Sequence, residues 1–220
     1  IAHAQEYPTR PIRITVPSTP GGSVDTLARL VGTHLSQRWG QQVVVDNRPG
    51  AGGIIAGEIT AKAPPDGYTL IMATIAAMAT NVSLARKLPY DPVRDFAPVT
   101  LVASQQLVLI VNPGVAAKSV SELLQLATAK PGQLTFASAG NGSGGHLSGE
   151  LLKILTGVDI VHVPYKGIAP AIVDVISGQV SVGFPGIALA LPHTGGSRLR
   201  SLAVTSAARS KAMPDVPTIS

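Results

Sequence analysis

A short strand, a glycine-rich loop and a helix follow one another twice in this chain, once in each half. That repeat limits the architecture more than any other feature. Ile12, Ile14 and Val16 alternate with Arg13 and Thr15, which is the period of a strand. Pro17-Ser18-Thr19-Pro20-Gly21-Gly22 stops it, and Val24, Leu27, Ala28, Val31 and Leu35 then recur at helical spacing from Ser23, a good cap residue. In the second half, Leu134-Thr135-Phe136-Ala137-Ser138 leads into Ala139-Gly140-Asn141-Gly142-Ser143-Gly144-Gly145, then into a helix carrying Leu147, Leu151, Leu152 and Leu155. The first turn of a helix has amides without intrahelical partners and lies at the positive end of the dipole, and small residues let a ligand approach that backbone. Two such openings, each heading its own half, predict paired domains that close on one small anion.

The rest of the chain keeps the order strand, loop, helix. Val43-Val44-Val45 reads as a buried parallel strand. A helix through Ile54, Ile55, Ile59 and Ala63 stops at Pro64-Pro65, and Tyr68 to Ala73 forms the next strand. Thr74 to Thr80 is an uncharged, alanine-rich loop. A proline-rich crossing segment, Lys87 to Pro98, precedes two expected strands, Val99 to Val102 and Leu107 to Val111. Ser119 and Glu122 form a capping box, Gly157 closes the helix after the second glycine loop, and Pro170 is placed as the first residue of another. Ile160–Val163, Val180–Phe184 and Leu199–Val204 supply the last strands. This order predicts an α/β fold of two parallel-sheet domains with helices on both faces, residues 5–102 and 103–220. Ligands in such folds sit beyond the carboxyl ends of the strands, which selects the loops 17–23, 74–80, 138–145, 164–169 and 185–187. The first half has only about four strands, so residues completing it are expected after Ser220.

Composition removes several functions. There is no cysteine, so thiol chemistry and cysteine-bound metal are absent. The net charge of +5 raises nucleic acid as a partner, but the basic residues are dispersed and aromatics make up only 4%. The one local cluster is Arg198, Arg200, Arg209 and Lys211. No nucleic-acid partner and no metal are expected, and the five histidines lack metal-ligand spacing. Neither a Walker loop nor the G-x-S-x-G elbow of hydrolases occurs. Gly140 to Gly145 matches G-x-G-x-x-G, so the alternative function is a dinucleotide-dependent enzyme. The acid that should close the following strand is missing, because that strand ends His162-Val163-Pro164 and Asp159 lies at its other end. Glycine loops without nucleophile, base or metal point to binding without a cofactor.

Around those loops, His146 opens the second helix and either contacts an anion or merely caps. His162, between valines, reads as a packing residue. Asp25 reads as an acid stabilised by the helix dipole. Lys166, Tyr165 and His146 suit a second anionic or polar end of a ligand, with Gly167 in the same candidate loop as Lys166. Thr74, Ala76, Met78, Phe184 and Pro185 offer a wall with little negative charge. Replacing Gly140 by valine is expected to abolish binding and spare folding. Ala2-His3-Ala4 before Gln5 has the small-x-small form of an export-cleavage site, or is a chance tripeptide in an alanine-rich chain.

Tyr7-Pro8-Thr9-Arg10-Pro11-Ile12, Pro20-Gly21-Gly22, Asn47-Arg48-Pro49-Gly50-Ala51-Gly52-Gly53, Pro65-Asp66-Gly67-Tyr68-Thr69-Leu70, Leu88-Pro89-Tyr90-Asp91-Pro92, His162-Val163-Pro164-Tyr165-Lys166-Gly167 and Pro214-Asp215-Val216-Pro217-Thr218 follow in an order that resembles one family. It is that of the periplasmic substrate-binding proteins of tripartite tricarboxylate transporters, the Bug family. The resemblance implies a periplasmic-binding-protein type II-like fold, export with removal of a signal peptide near Ala4-Gln5, and no catalysis. It also implies delivery of a small organic carboxylate to transmembrane transporter subunits, by a protein expected to be a monomer. Two loops, here Ser18 to Ser23 and Ser138 to Ser143, would grip the carboxylate through backbone amides and ordered waters. Relatives usually have an aromatic where Ser18 stands, often a proline at Thr19, polar residues within Ile75 to Asn81 and an acid at Pro185. The expected ligand is therefore a dicarboxylate or aromatic acid rather than an amino acid.

Overall fold

A computed structural model describes residues 7–195 and 198–219, so the Ala2-His3-Ala4 tripeptide lies outside the described residues. The chain divides into two compact units, Ile1–Pro98 and Val99–Ser220.

The first unit is built on three parallel strands, β1 (Ile12–Val16), β2 (Val43–Asn47) and β3 (Thr69–Ile71), in the order β2-β1-β3. The alternating residues Ile12, Ile14 and Val16 of central β1 are buried. Thr15 is buried with them and donates its hydroxyl to the Leu70 carbonyl at 2.9 Å. The Val43–Val45 run is not the doubly buried strand its composition suggested. β2 lies at the sheet edge and Val44 is 42% exposed.

Helix α1 (Ser23–Trp39) follows β1, and α2 (Ile54–Ala61) follows a short 3₁₀ turn at Ala51–Gly53. The segment after β3, read from sequence as a loop, is helical. A π-turn over Ala76–Thr80 runs into α3 (Asn81–Leu84). Alanine favours helix, and Thr74 caps it, with its carbonyl accepting from the Met78 amide at 3.0 Å and its hydroxyl from Ala77 at 3.3 Å. The Tyr90 hydroxyl donates to the Ala77 carbonyl at 2.6 Å and pins the turn in place.

The second unit carries β4 (Val108–Val111), β5 (Thr135–Ser138), β6 (Val161–Pro164), β7 (Val182–Gly183) and β8 (Arg200–Val204), ordered β6-β5-β7-β4-β8. This sheet is not wholly parallel as expected, because β4 runs antiparallel to both β7 and β8. The helix Val120–Ala129 joins β4 to β5, yet β4 is antiparallel to β5 as well, since β5 runs parallel to β7; the crossover rule constrains only connections between parallel strands. Val99 to Val102, expected as a strand, pairs with nothing among the described residues, and Val99 and Leu101 are more than four-fifths exposed.

All four residues of β4 are buried, since both faces of its sheet are covered. Leu109 and Val111 pack with Phe136, Leu152 and Phe184 on one side, while Val108 and Ile110 pack with Ile172 and Val175 on the other. The helices on these faces are α4 (Val120–Ala129), α5 (Gly144–Thr156), α6 (Ile168–Ser177) and α7 (Ile187–Thr194). The capping box at α4 forms in shifted register. The Ser119 hydroxyl accepts from the Glu122 amide at 3.2 Å, and the Glu122 carboxylate accepts from the amide of Lys118, not of Ser119, at 2.8 Å. Pro170 is the third residue of α6 rather than its first. No helix among the described residues is long and apolar enough to cross a membrane.

Strand direction now places the loops. In the first unit, 17–22, 48–50 and 72–75 leave the carboxyl ends of one parallel sheet. In the second, 139–143, 165–167 and 184–186 leave the carboxyl ends of β5, β6 and β7.

Candidate functional site

The first loop ends at α1, whose cap residue is Gly22 rather than Ser23 and which has no side-chain cap. Asp25, inside the first turn, is only 3% exposed and does more than complement the dipole. Its carboxylate accepts from the Gly21 amide at 2.9 Å, from Asn47 Nδ2 at 2.9 Å and from Arg29 Nε at 3.1 Å. Burial alone would raise this carboxyl, but the hydrogen bonds from Arg29, Gly21 and Asn47 outweigh it and hold the group below the usual carboxylate range. Asn47 also donates to the Ser18 carbonyl at 3.1 Å, so β2 ties the loop to the helix. Two hydroxyls remain over. Ser18 Oγ and Thr19 Oγ1 are buried and have no hydrogen-bond partner. A buried hydroxyl in that state costs about 1–3 kcal/mol, so the loop holds unmet hydrogen-bonding capacity beside uncapped helix amides.

The second loop is held mostly by its own side chains. Ser138 is fully buried; its Oγ lies 2.7 Å from His162 Nε2 and accepts from the Gly140 amide at 3.1 Å. Ser143 caps α5 by accepting from the His146 amide at 3.3 Å. His146 Nδ1 in turn accepts from the Gly142 amide at 3.1 Å, which makes His146 a capping residue of the loop. Its ring lies 4.3 Å from that of His162, which stacks on Phe136 at 4.8 Å. His162 is thus more than packing, since it positions Ser138 beneath the loop. Gly140 has φ +113°, and a Cβ there would meet the Tyr165 carbonyl oxygen at 2.9 Å. Gly140→Val would therefore strain the fold itself, contrary to the expectation that folding would be spared.

Burial, followed by the neighbouring His146, lowers the His162 pKa to about 4. The folded state then binds fewer protons than the unfolded state between that value and about 6.5. Its contribution to stability is complete above pH 6.5 and is lost as pH falls towards 4. Thermal melts across this range are expected to show a falling Tm that His162→Gln, which keeps a donor for Ser138, makes shallower. An equally steep fall in that variant would assign the effect to other groups.

The remaining expected site residues divide. The Tyr165 hydroxyl donates to Asp174 at 2.5 Å, and burial with that carboxylate pushes the phenol up to about 12, so it is already engaged. Lys166 is exposed and in no ion pair among the described residues, and Gly167 is buried at the cap of α6. Phe184 does not form a ligand wall. It is 1% exposed and edge-on to Phe136 at 6.5 Å, because alternation along β7 turns it with Val182 into the core. Pro185 is buried, its carbonyl accepting from the Val108 amide at 3.0 Å. Pro20, Gly21 and Asn141 are exposed, Ala139 and Met78 are half-buried, and Ala76 is buried.

Asn47 was missed as a site residue, although the Asn47–Gly53 motif contains it. Among the described residues no cluster of His, Asp and Glu could hold a metal. The dinucleotide reading loses its cradle, because His146 takes the Gly142 amide and Ser138 takes that of Gly140.

A family model described as "Tripartite tricarboxylate transporter family receptor" matches residues 27–220. The chain belongs to this receptor family. Protein BugT of Bordetella pertussis is 42% identical over 98% of the chain and 67% of its own length. The chain spans about two thirds of the length of the curated relatives it matches. Among solved structures, "R. palustris Rpa4515 with adipate" superposes with a TM-score of 0.94 at 41% identity, covering 97% of this chain and 72% of that one. "MatC (Rpa3494) from Rhodopseudomonas palustris with bound malate" gives 0.91 at 33% identity, covering 96% and 72%. The ligands named for those two proteins, adipate and malate, are dicarboxylates, and the α/β fold here is that of periplasmic binding proteins.

Proposed function

We propose that this chain is a periplasmic receptor that captures a small organic carboxylate and delivers it to a membrane transporter, without chemical change to the ligand. The observation that carries this reading is the start of α1. Its first-turn amides lack a side-chain cap, and Ser18 Oγ and Thr19 Oγ1 are buried without partners beside it. A carboxylate supplies acceptors for all of them, and the helix dipole favours its charge. The adipate and malate held by the two relatives support a dicarboxylate or aromatic acid in this chain as well.

An amino acid fits less well. Its ammonium group needs a carboxylate partner, and Asp25 is already committed to Arg29, Asn47 and Gly21. Burying an unpaired ammonium costs several kcal/mol even after relaxation. Thr74 and Met78, in the same unit as the start of α1, offer a weakly polar wall.

Ser18→Ala tests the reading by moving stability and affinity in different directions. Removing an unpartnered buried hydroxyl is expected to leave Tm unchanged or slightly raised. Affinity for adipate should fall about tenfold, since a hydrogen bond to a charged group is worth about 1.5 kcal/mol or more. Unchanged adipate affinity would remove the α1 start from the site.

A further inference from the structure

The second unit contains another concavity, of about 580 Å³, away from its glycine loop. β5, β6 and β7 direct their carboxyl ends to that loop. The concavity instead takes Pro113 from beyond the end of antiparallel β4, and Leu199, Arg200 and Ser201 from the start of β8. Val111 pairs with Arg200 and with Val182, the first residue of β7, so this is the opposite end of the sheet. The end of α7 and the turn 212–216 complete the walls, with exposed Leu191 and half-buried Val216 as apolar surface over the buried Leu199 and Met213. Ser201 Oγ in the wall and His193 Nδ1 beside it are buried without hydrogen-bond partners.

Of the basic cluster noted in the sequence, Arg200 lines this concavity, and Lys211 directly precedes its lining residue Ala212. Arg200 Nη1 donates to the carbonyls of Ala117 at 2.9 Å and Val115 at 3.3 Å. Arg209 Nη1 donates to the Pro214 carbonyl at 3.0 Å, and Arg198 Nη2 to that of Pro192 at 3.3 Å. These bonds hold the guanidinium groups in place without neutralising them. None of the ion pairs among the described residues includes Arg198, Arg200, Arg209 or Lys211. Asp215 is the single acid in the lining. Dispersed surface cations are ordinary; here Arg200 lies in the wall and Arg209 is bonded to the carbonyl of the lining residue Pro214, at a hollow of the size that small molecules occupy.

We propose that this concavity is a second ligand site, separate from the carboxylate loops, for an organic anion with an apolar body. The anionic group lies by Arg200 and the Ser201 hydroxyl, and the body lies on Leu191 and Val216. The test is a titration of the ¹⁵N-labelled chain with octanoate, followed by amide chemical shifts. Saturable shifts are expected in 199–201 and 212–216. Ala212→Trp, which plugs the hollow from an exposed position, should weaken them at least tenfold. Arg209→Gln with Lys211→Gln, both exposed, should weaken them several-fold without altering the melt. Octan-1-ol should bind at least tenfold less tightly than octanoate. Absence of shifts in both segments, equal binding of the alcohol, or unchanged octanoate affinity in Ala212→Trp would each overturn the proposal.

Discussion

Asp25→Ala is expected to give one of the two largest losses, lowering the stability of the first unit by about 2–4 kcal/mol in urea unfolding. Removing one partner of a buried, hydrogen-bonded charge typically costs about 3–5 kcal/mol. Arg29 is half-exposed and recovers solvation, which reduces the cost here. Asn47, half-buried, does not replace its lost acceptor as readily. Adipate affinity should fall at least tenfold in the same variant, since the Ser18–Gly22 loop loses the group that orients it. The acid limb follows from the same contacts. With its folded pKa depressed, Asp25 contributes stability above its unfolded value near 3.9 that is lost as pH falls through the folded value. A variant that bound adipate normally would show that Asp25 is structural only.

Gly149→Ala carries the second large effect, in the other unit. At a free helix position this exchange stabilises by about 1 kcal/mol. At Gly149 the new Cβ would lie far inside contact distance of the Phe136 ring, so α5 must move off β5. Overpacking of this kind costs about 1–3 kcal/mol, and clash should outweigh propensity. The expected result is a net loss of about 1–2 kcal/mol, with His162 and Ser138 disturbed because Phe136 stacks on His162. Phe136→Leu should be less harmful in combination with Gly149→Ala than the two single effects sum to. Simple additivity would show that the ring and the helix yield independently.

What could be read from the sequence was whatever depends on local pattern. The Ile12–Val16 alternation, the helical spacing from Ser23, and the stop at Gly157 with φ +72° all describe neighbours in the chain. What could not be read depends on partners far away in sequence. The run Val43–Val45 looks buried until β2 is seen at an edge, and β4 looks parallel until β7 and β8 flank it. The Ala76–Thr80 turn has too few large residues to show a period. In the site, the glycine loops were legible because glycine at a strand end has few other uses. Their supports were not legible. Asn47 acts on Ser18 and Asp25, and His162 acts on Ser138, across distances in sequence that spacing does not encode.

The most direct measurement is a calorimetric titration of the chain with adipate and succinate against glutamate and aspartate at one pH and salt concentration. Saturable binding of the plain dicarboxylates, with the amino acids at least tenfold weaker, is the predicted result. Micromolar binding of glutamate with none of the plain acids would contradict it.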